Sequence, residues 1–200
     1  MLNQKILLVF SVLIIAIPLL MFPANALALN QDYKGDGNNV DLSALQFGDI
    51  ILMQGVQKKA DLIGDLFPGK WHHSAVYIGD GEMVEAWTDP GVRTLDVSST
   101  HTASEAAIYR VNTTYWNKKK AVDFMLNQIG KPYDYIWLFW PGDKNKNSEY
   151  WYCSELNWAG YKHQGVDIDA NPGYSWTFWY NVAPGELADD NDTYLIDYSD

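Results

Sequence analysis

The sequence predicts an α+β domain in which an antiparallel β-sheet or barrel packs against helices. Two observations point there. Between His73 and Val111, short runs rich in β-formers alternate with tight turns at Gly79-Asp80-Gly81 and Pro90-Gly91. After Tyr115, two stretches, 115–129 and 150–164, instead carry apolar residues at helical spacing. No segment repeats, and 200 residues are enough for one domain with its own core.

The elements follow in order. Residues 1–28 have the layout of a signal peptide. Lys5 is the positive start, Ile6 to Phe22 an uncharged apolar run, and Pro23-Ala24-Asn25-Ala26-Leu27-Ala28 offers cuts after Ala26 or Ala28. The chain is therefore expected to be secreted or to work at the exterior of the cell envelope, with an uncleaved N-terminal membrane anchor as the alternative. Residues 29–41 are polar and glycine-containing, and read as a flexible mature N-terminus. The folded domain is then 42–200, with order beginning near Leu42. Ile50 to Met53 is a strand, and Lys58 to Leu66 has the spacing of a short helix. His73 to Ile78 and Glu82 to Trp87 form a hairpin about the glycine turn. Val92 to Val97 and Ala106 to Val111 are further strands. Tyr115 to Ile129 is an amphipathic helix with Gly130 at its C-terminal cap. Pro141 to Asn147 is a polar loop, Tyr150 to Gln164 a second helix closed by Gly165, Ala183 to Leu187 a turn or brief helix, and Thr193 to Tyr198 the last strand.

Charge narrows the function. The formal net charge is −11, and loss of Lys5 with the leader makes it more negative. Such a surface repels nucleic acid and anionic lipid, so nucleic-acid binding is not expected. Nine Trp and thirteen Tyr are many for this length. Aromatics at that density build either a ring-rich core or a groove with flat walls.

Cys153 is the one cysteine, in Tyr150-Trp151-Tyr152-Cys153-Ser154-Glu155-Leu156-Asn157-Trp158. It has no partner for an internal disulfide, which leaves a small buried residue, an intermolecular link or a working thiol. Its place in the first turn of a predicted helix favours the thiolate, because free amides and the helix dipole meet there. Those amides can also hold an oxyanion. A base is needed next. His101 and His163 read as ordinary solvent-facing histidines, whereas His72 and His73 open a strand and point to opposite faces of it. The same alternation makes it hard for the pair to share one metal ion, so no metal is expected. Glu85, on the returning strand, lies opposite Tyr77, Ala75 or His73 according to register. It is the acid placed to orient an imidazole.

Five motifs in order resemble circularly permuted NlpC-like cysteine peptidases of the YaeF/YiiX type. They are Gly48-Asp49-Ile50-Ile51, Trp71 to Gly81 with Val84-Glu85-Ala86, Ile129 to Tyr135, Tyr152 to Leu156, and Ala183 to Leu187. The resemblance spans about residues 43 to 198. It implies a papain-like fold with Cys153 as nucleophile, His73 as base and Glu85 as the residue that orients it. His73, rather than His72, keeps the spacing to Ser74-Ala75-Val76-Tyr77-Ile78. Tyr133 and Asp134 match an aromatic–acid pair that shapes the site, Tyr152 belongs to the cleft wall with them, and Glu155 takes a supporting or capping place.

The expected function is an exported thiol hydrolase cleaving an amide bond, such as those of cell-wall peptides, without metal or organic cofactor. The alternatives are a lipid acyl hydrolase or acyltransferase, since lecithin:retinol acyltransferase relatives share the permuted layout, and a non-catalytic module that binds a peptide or glycan.

Overall fold

The computed structural model describes residues 37–56, 69–136, 144–174 and 179–200. The leader and the helix expected over Lys58 to Leu66 lie outside them. Six strands form one antiparallel sheet. They are β1 (Ile50–Gln54), β2 (His73–Gly79), β3 (Glu82–Trp87), β4 (Gly91–Asp96), β5 (Glu105–Val111) and β6 (Thr193–Ser199), in the order β4-β3-β2-β1-β5-β6. The helices are α1 (Tyr115–Leu126), α2 (Cys153–Lys162) and the short α3 (Pro184–Asp189).

β1 lies inside the sheet and is buried on both faces. Ile50 and Leu52 join one apolar cluster, and Ile51 and Met53 the other. This is why the strand reads as an unbroken apolar run rather than an alternation. The Ile50 face packs with Val76, Val84 and Ala107 against Ala121 and Met125 of α1 and Leu156 and Ala159 of α2. The opposite face, with Ala75, Met83, Trp87 and Ile108, is covered by Val40, Val97 and Ala103. Packing begins before Leu42, because Asn38 is buried and donates to the carbonyls of Thr100 (2.8 Å) and Ala103 (2.9 Å). The stretch around His101 is a 3-10 helix, Val97–Thr102, capped by Asp96, rather than a plain loop. His101 is half-buried there, its Nδ1 3.1 Å from the Asn38 carbonyl oxygen, not simply solvent-facing.

Two long-range contacts fix the frame around the site. Just before β1, fully buried Asp49 accepts from Arg110 Nε at 2.9 Å and Nη2 at 2.6 Å. A paired charge of this kind is tolerated in the interior because the guanidinium fork satisfies both carboxylate oxygens. Between helices, a Cβ added to Gly160 on α2 would stand 3.0 Å from the Ala121 carbonyl oxygen on α1. The helices approach that closely because Gly160 has no side chain.

α2 begins at Cys153, three residues later than the apolar spacing suggests. Tyr133 and Trp151 form a parallel bridge, in which Trp151 N–H donates to Pro132 O and Asp134 N–H to Trp151 O. Residues up to Tyr152 are thereby held extended, with Tyr152 at φ −93° and ψ 167°. The cysteine is therefore the first residue of the helix.

Candidate active site

β2 and β3 leave their common turn paired, from Gly79↔Glu82 to Val76↔Val84, and the pairing stops there. Continued by one residue, that register sets Ala75 beside Glu85, so His73 and Glu85 become diagonal neighbours on one face. Their side chains meet: His73 Nε2 lies 2.6 Å from Glu85 Oε2. Both are buried, at 4% and 0% exposure. The Trp87 ring packs edge-on to the imidazole, with centroids 4.8 Å apart.

Cys153 meets the same imidazole. Its thiol and His73 share a hydrogen bond, and the backbone N–H groups of Ser74 and Ser154 also act on the sulfur. With Nε2 held by Glu85, Nδ1 is the ring nitrogen left for the thiol. α2 packs on the face of the sheet that carries Ser74 and Val76, yet its first residue reaches His73 on the other face. The contact is made where β2 and β3 have parted. There the Ser74 amide acts on the sulfur.

The electrostatics favour the ion pair. Burial alone pulls the His73 pKa down, but the Glu85 charge and the hydrogen bonds to Cys153 and Glu85 outweigh it, and the imidazole is pushed up to about 9. Burial likewise pushes the Cys153 thiol up, while the His73 charge, its hydrogen bond and the two backbone amides bring it below its ordinary value. Both shifts favour a thiolate beside an imidazolium over the neutral pair.

Arg93 completes the arrangement, and sequence reasoning did not find it. Its Nε (2.8 Å) and Nη2 (2.7 Å) both donate to Glu85 Oε1, leaving Oε2 to His73. The guanidinium also lies 5.2 Å from the Trp87 ring centre. Four alternating charges, Arg93, Glu85, His73 and Cys153, thus sum to zero in a buried site, which limits the desolvation cost. The signal was in the β3–β4 hairpin. Trp87↔Gly91 across the turn leads directly to Glu85↔Arg93.

The remaining predicted residues surround the helix N-terminus. Tyr152 and Ser154 flank Cys153 and together hold Val182. The Tyr152 hydroxyl accepts from its N–H at 3.0 Å, and the Ser154 hydroxyl donates to its carbonyl at 2.7 Å. This anchors the segment that leads into α3. Half-buried Tyr133 packs tilted against Tyr135, with centroids 5.1 Å apart, and the Tyr135 hydroxyl donates to Thr88 O beyond the end of β3. Asp134 Oδ1 accepts from Ile136 N–H, and its charge acts on Tyr152. Buried Glu155 accepts from Asn145 N–H at 2.8 Å, tying the preceding loop to the first turn of α2. His72 is half-buried, and its backbone N–H donates to Met53 O. His163 lies far from this chemistry, its ring against Phe124 and its Nε2 2.6 Å from Lys146 O.

A cysteine at a helix N-terminus, joined to a histidine and carboxylate on a sheet, with the histidine earlier in the chain, is the arrangement of a permuted papain-like site. The chain belongs to the family of permuted papain-like amidase enzymes of the YaeF/YiiX type, whose model matches residues 44–196. No curated protein matches it. Among solved structures, the chain is similar to the crystal structure of the metalloprotein yiiX from Escherichia coli O157:H7. The TM-score is 0.57 at 17% identity, covering 76% of this chain and 96% of that one. Fold and family are thus shown, an α+β papain-like permuted architecture of the amidase and cysteine peptidase kind. That neighbour is described as a metalloprotein. Among the described residues here, no group of three or more His, Cys, Asp or Glu side chains is placed to hold a metal ion.

Proposed function

We propose that the chain is an exported thiol hydrolase that cleaves an amide bond, of the kind found in cell-wall peptides, through Cys153, His73 and Glu85. The observation that carries this reading is the imidazole of His73 joined to the Glu85 carboxylate on one side and the Cys153 thiol on the other. The thiolate attacks the amide carbonyl carbon, and the oxygen becomes an oxyanion facing the N-terminus of α2, where the Cys153 amide stabilises it. The C–N bond breaks, His73 gives its proton to the departing amine, and the acyl group remains as a thioester. Water, deprotonated by His73, then releases the acid and restores the thiol. Glu85 keeps the ring oriented throughout. Tyr133, Asp134 and Tyr152 form the adjoining wall of the substrate cleft. Residues 1–28 direct the chain out of the cytoplasm and are removed, leaving the enzyme secreted or associated with the cell envelope.

The test is digestion of a cell-wall peptide and of a phospholipid by the wild type and by Cys153→Ala. The reading expects new amino groups from the peptide with wild type only, and no free fatty acid. Fatty acid release without peptide cleavage moves the assignment to lipid acyl chemistry. Cleavage retained in Cys153→Ala rules out the thiol mechanism. For the leader, N-terminal sequencing of exported protein is expected to begin at Leu27 or Leu29, and a start at Met1 contradicts cleavage.

A further inference from the structure

We propose that the hydrogen bond between Ser74 and Asn157 sets how α2 docks on β2, and through it the contact of Cys153 with His73. Ser74 and Asn157 are then positioning residues for the thiolate. The inference rests on the reading of Cys153 as the nucleophile.

The placement is specific. Asn157 lies four residues after Cys153, on the same helix face one turn further on. Ser74 directly follows His73. Asn157 Nδ2 donates to Ser74 Oγ at 2.8 Å across 83 residues of chain, and both residues are fully buried. Ser74 also acts on the sulfur through its backbone N–H. One residue therefore holds α2 at two points, its amide on the reacting atom and its hydroxyl one turn below. A sideways or downward shift of the helix breaks both.

Packing alone does not require an asparagine there. Leu52, Val76, Leu156 and Ala159 are apolar and belong to the cluster on this face. Asn157 Oδ1 is buried without a hydrogen-bond partner. Such an atom costs stability that a leucine of similar volume does not. A polar pair kept at that cost fits a role in fixing one docking register. The thiol whose setting it fixes is faced by His73 and by the amides of Ser74 and Ser154, His73 by Glu85, and Glu85 by Arg93.

The experiment compares iodoacetamide alkylation of Cys153 across pH, and thermal unfolding, in wild type, Asn157→Leu, Ser74→Ala, Ser74→Thr, the Asn157→Leu/Ser74→Ala double variant and His73→Gln. The Asn157→Leu/Ser74→Ala double variant is expected to unfold at or above the wild-type temperature, and Asn157→Leu, which leaves the Ser74 hydroxyl buried without its partner, somewhat below it. Alkylation of Asn157→Leu at neutral pH should slow by about tenfold, with the acid limb moved to higher pH. Ser74→Ala should slow alkylation similarly, the double variant no further than either single one, and Ser74→Thr, which keeps the hydroxyl, should retain most of the rate. Wild-type alkylation in both Asn157→Leu and Ser74→Ala, with His73→Gln slow, overturns the inference and leaves the nucleophile reading standing. Wild-type alkylation in His73→Gln overturns both. If Asn157→Leu does not fold, Ser74→Ala alone decides the matter.

Discussion

Glu85 must hold an imidazole on one oxygen while fully removed from water, and Arg93 makes that possible by taking the other. Glu85→Gln keeps the shape and removes the charge. His73 then loses its largest source of stabilisation, so its pKa must fall from about 9. Hydrolysis needs the imidazolium as acid, so the basic limb of the pH–activity profile is expected to move to lower pH in Glu85→Gln. A limb left in place means the carboxylate does not set the acid. Arg93→Met takes the guanidinium away from the buried Glu85 carboxylate. Removing one partner of a buried pair costs about 3–5 kcal/mol, and the partial exposure of Arg93 brings the expected loss toward the lower end or below. Arg93→Lys restores charge but not the two-nitrogen grip, and is expected to recover stability more than activity. Chemical denaturation read beside kcat separates the two. Cys153, His73 and Glu85 were legible in the sequence, because each lies in a motif with its own spacing. Arg93 lies in no motif, and only strand register reveals it.

At the scale of elements, strands and turns were easier to read than the start of α2. The β2–β3 and β3–β4 boundaries follow from Gly79-Asp80-Gly81 and Pro90-Gly91, which break the chain locally. What delays α2 to Cys153 is a bridge from Trp151 to Tyr133, eighteen positions back from that tryptophan, and no local spacing encodes it. The delay matters chemically, since it moves the sulfur from within the helix to its first residue, where the amides converge. Face alternation was equally incomplete as a guide. It separates His72 from His73, but it gives no sign that the β2 ladder to β3 ends at Val76 and lets α2 reach the far face. The α1–α2 contact offers a direct test. Gly160→Ala places a methyl 2.5 Å from Met125 Cε and 3.0 Å from Ala121 O. Methionine can yield, whereas the carbonyl must shift. A loss of about 1–3 kcal/mol is expected from overpacking, and an unchanged unfolding midpoint contradicts the packing described.

For the whole molecule, the coupled titration of Cys153 and His73 leaves a mark on stability. His73 has a raised folded pKa, so its contribution is fully present below its ordinary 6.5 and is lost as pH rises through about 9. Cys153 has a lowered one, so its contribution is present above its ordinary 9.0 and is lost as pH falls through the lowered value. Wherever below 9 Cys153 is ionised only in the folded protein and His73 protonated only there, the two slopes oppose each other, because the folded protein has only moved a proton from sulfur to imidazole. Wild-type stability is expected to be flat with respect to this pair across that window. Cys153→Ala removes the rising slope and leaves the falling one, about 1.4 kcal/mol per pH unit at most. Equal pH dependence of unfolding in the two proteins contradicts the ion pair. The measurement that tests the central claim most directly is the rate of iodoacetamide alkylation of Cys153 in the intact folded protein at neutral pH, with and without His73. The account predicts labelling faster than an unperturbed thiol in wild type and a large drop in His73→Gln. Labelling at the ordinary thiol rate, unchanged by that substitution, contradicts it.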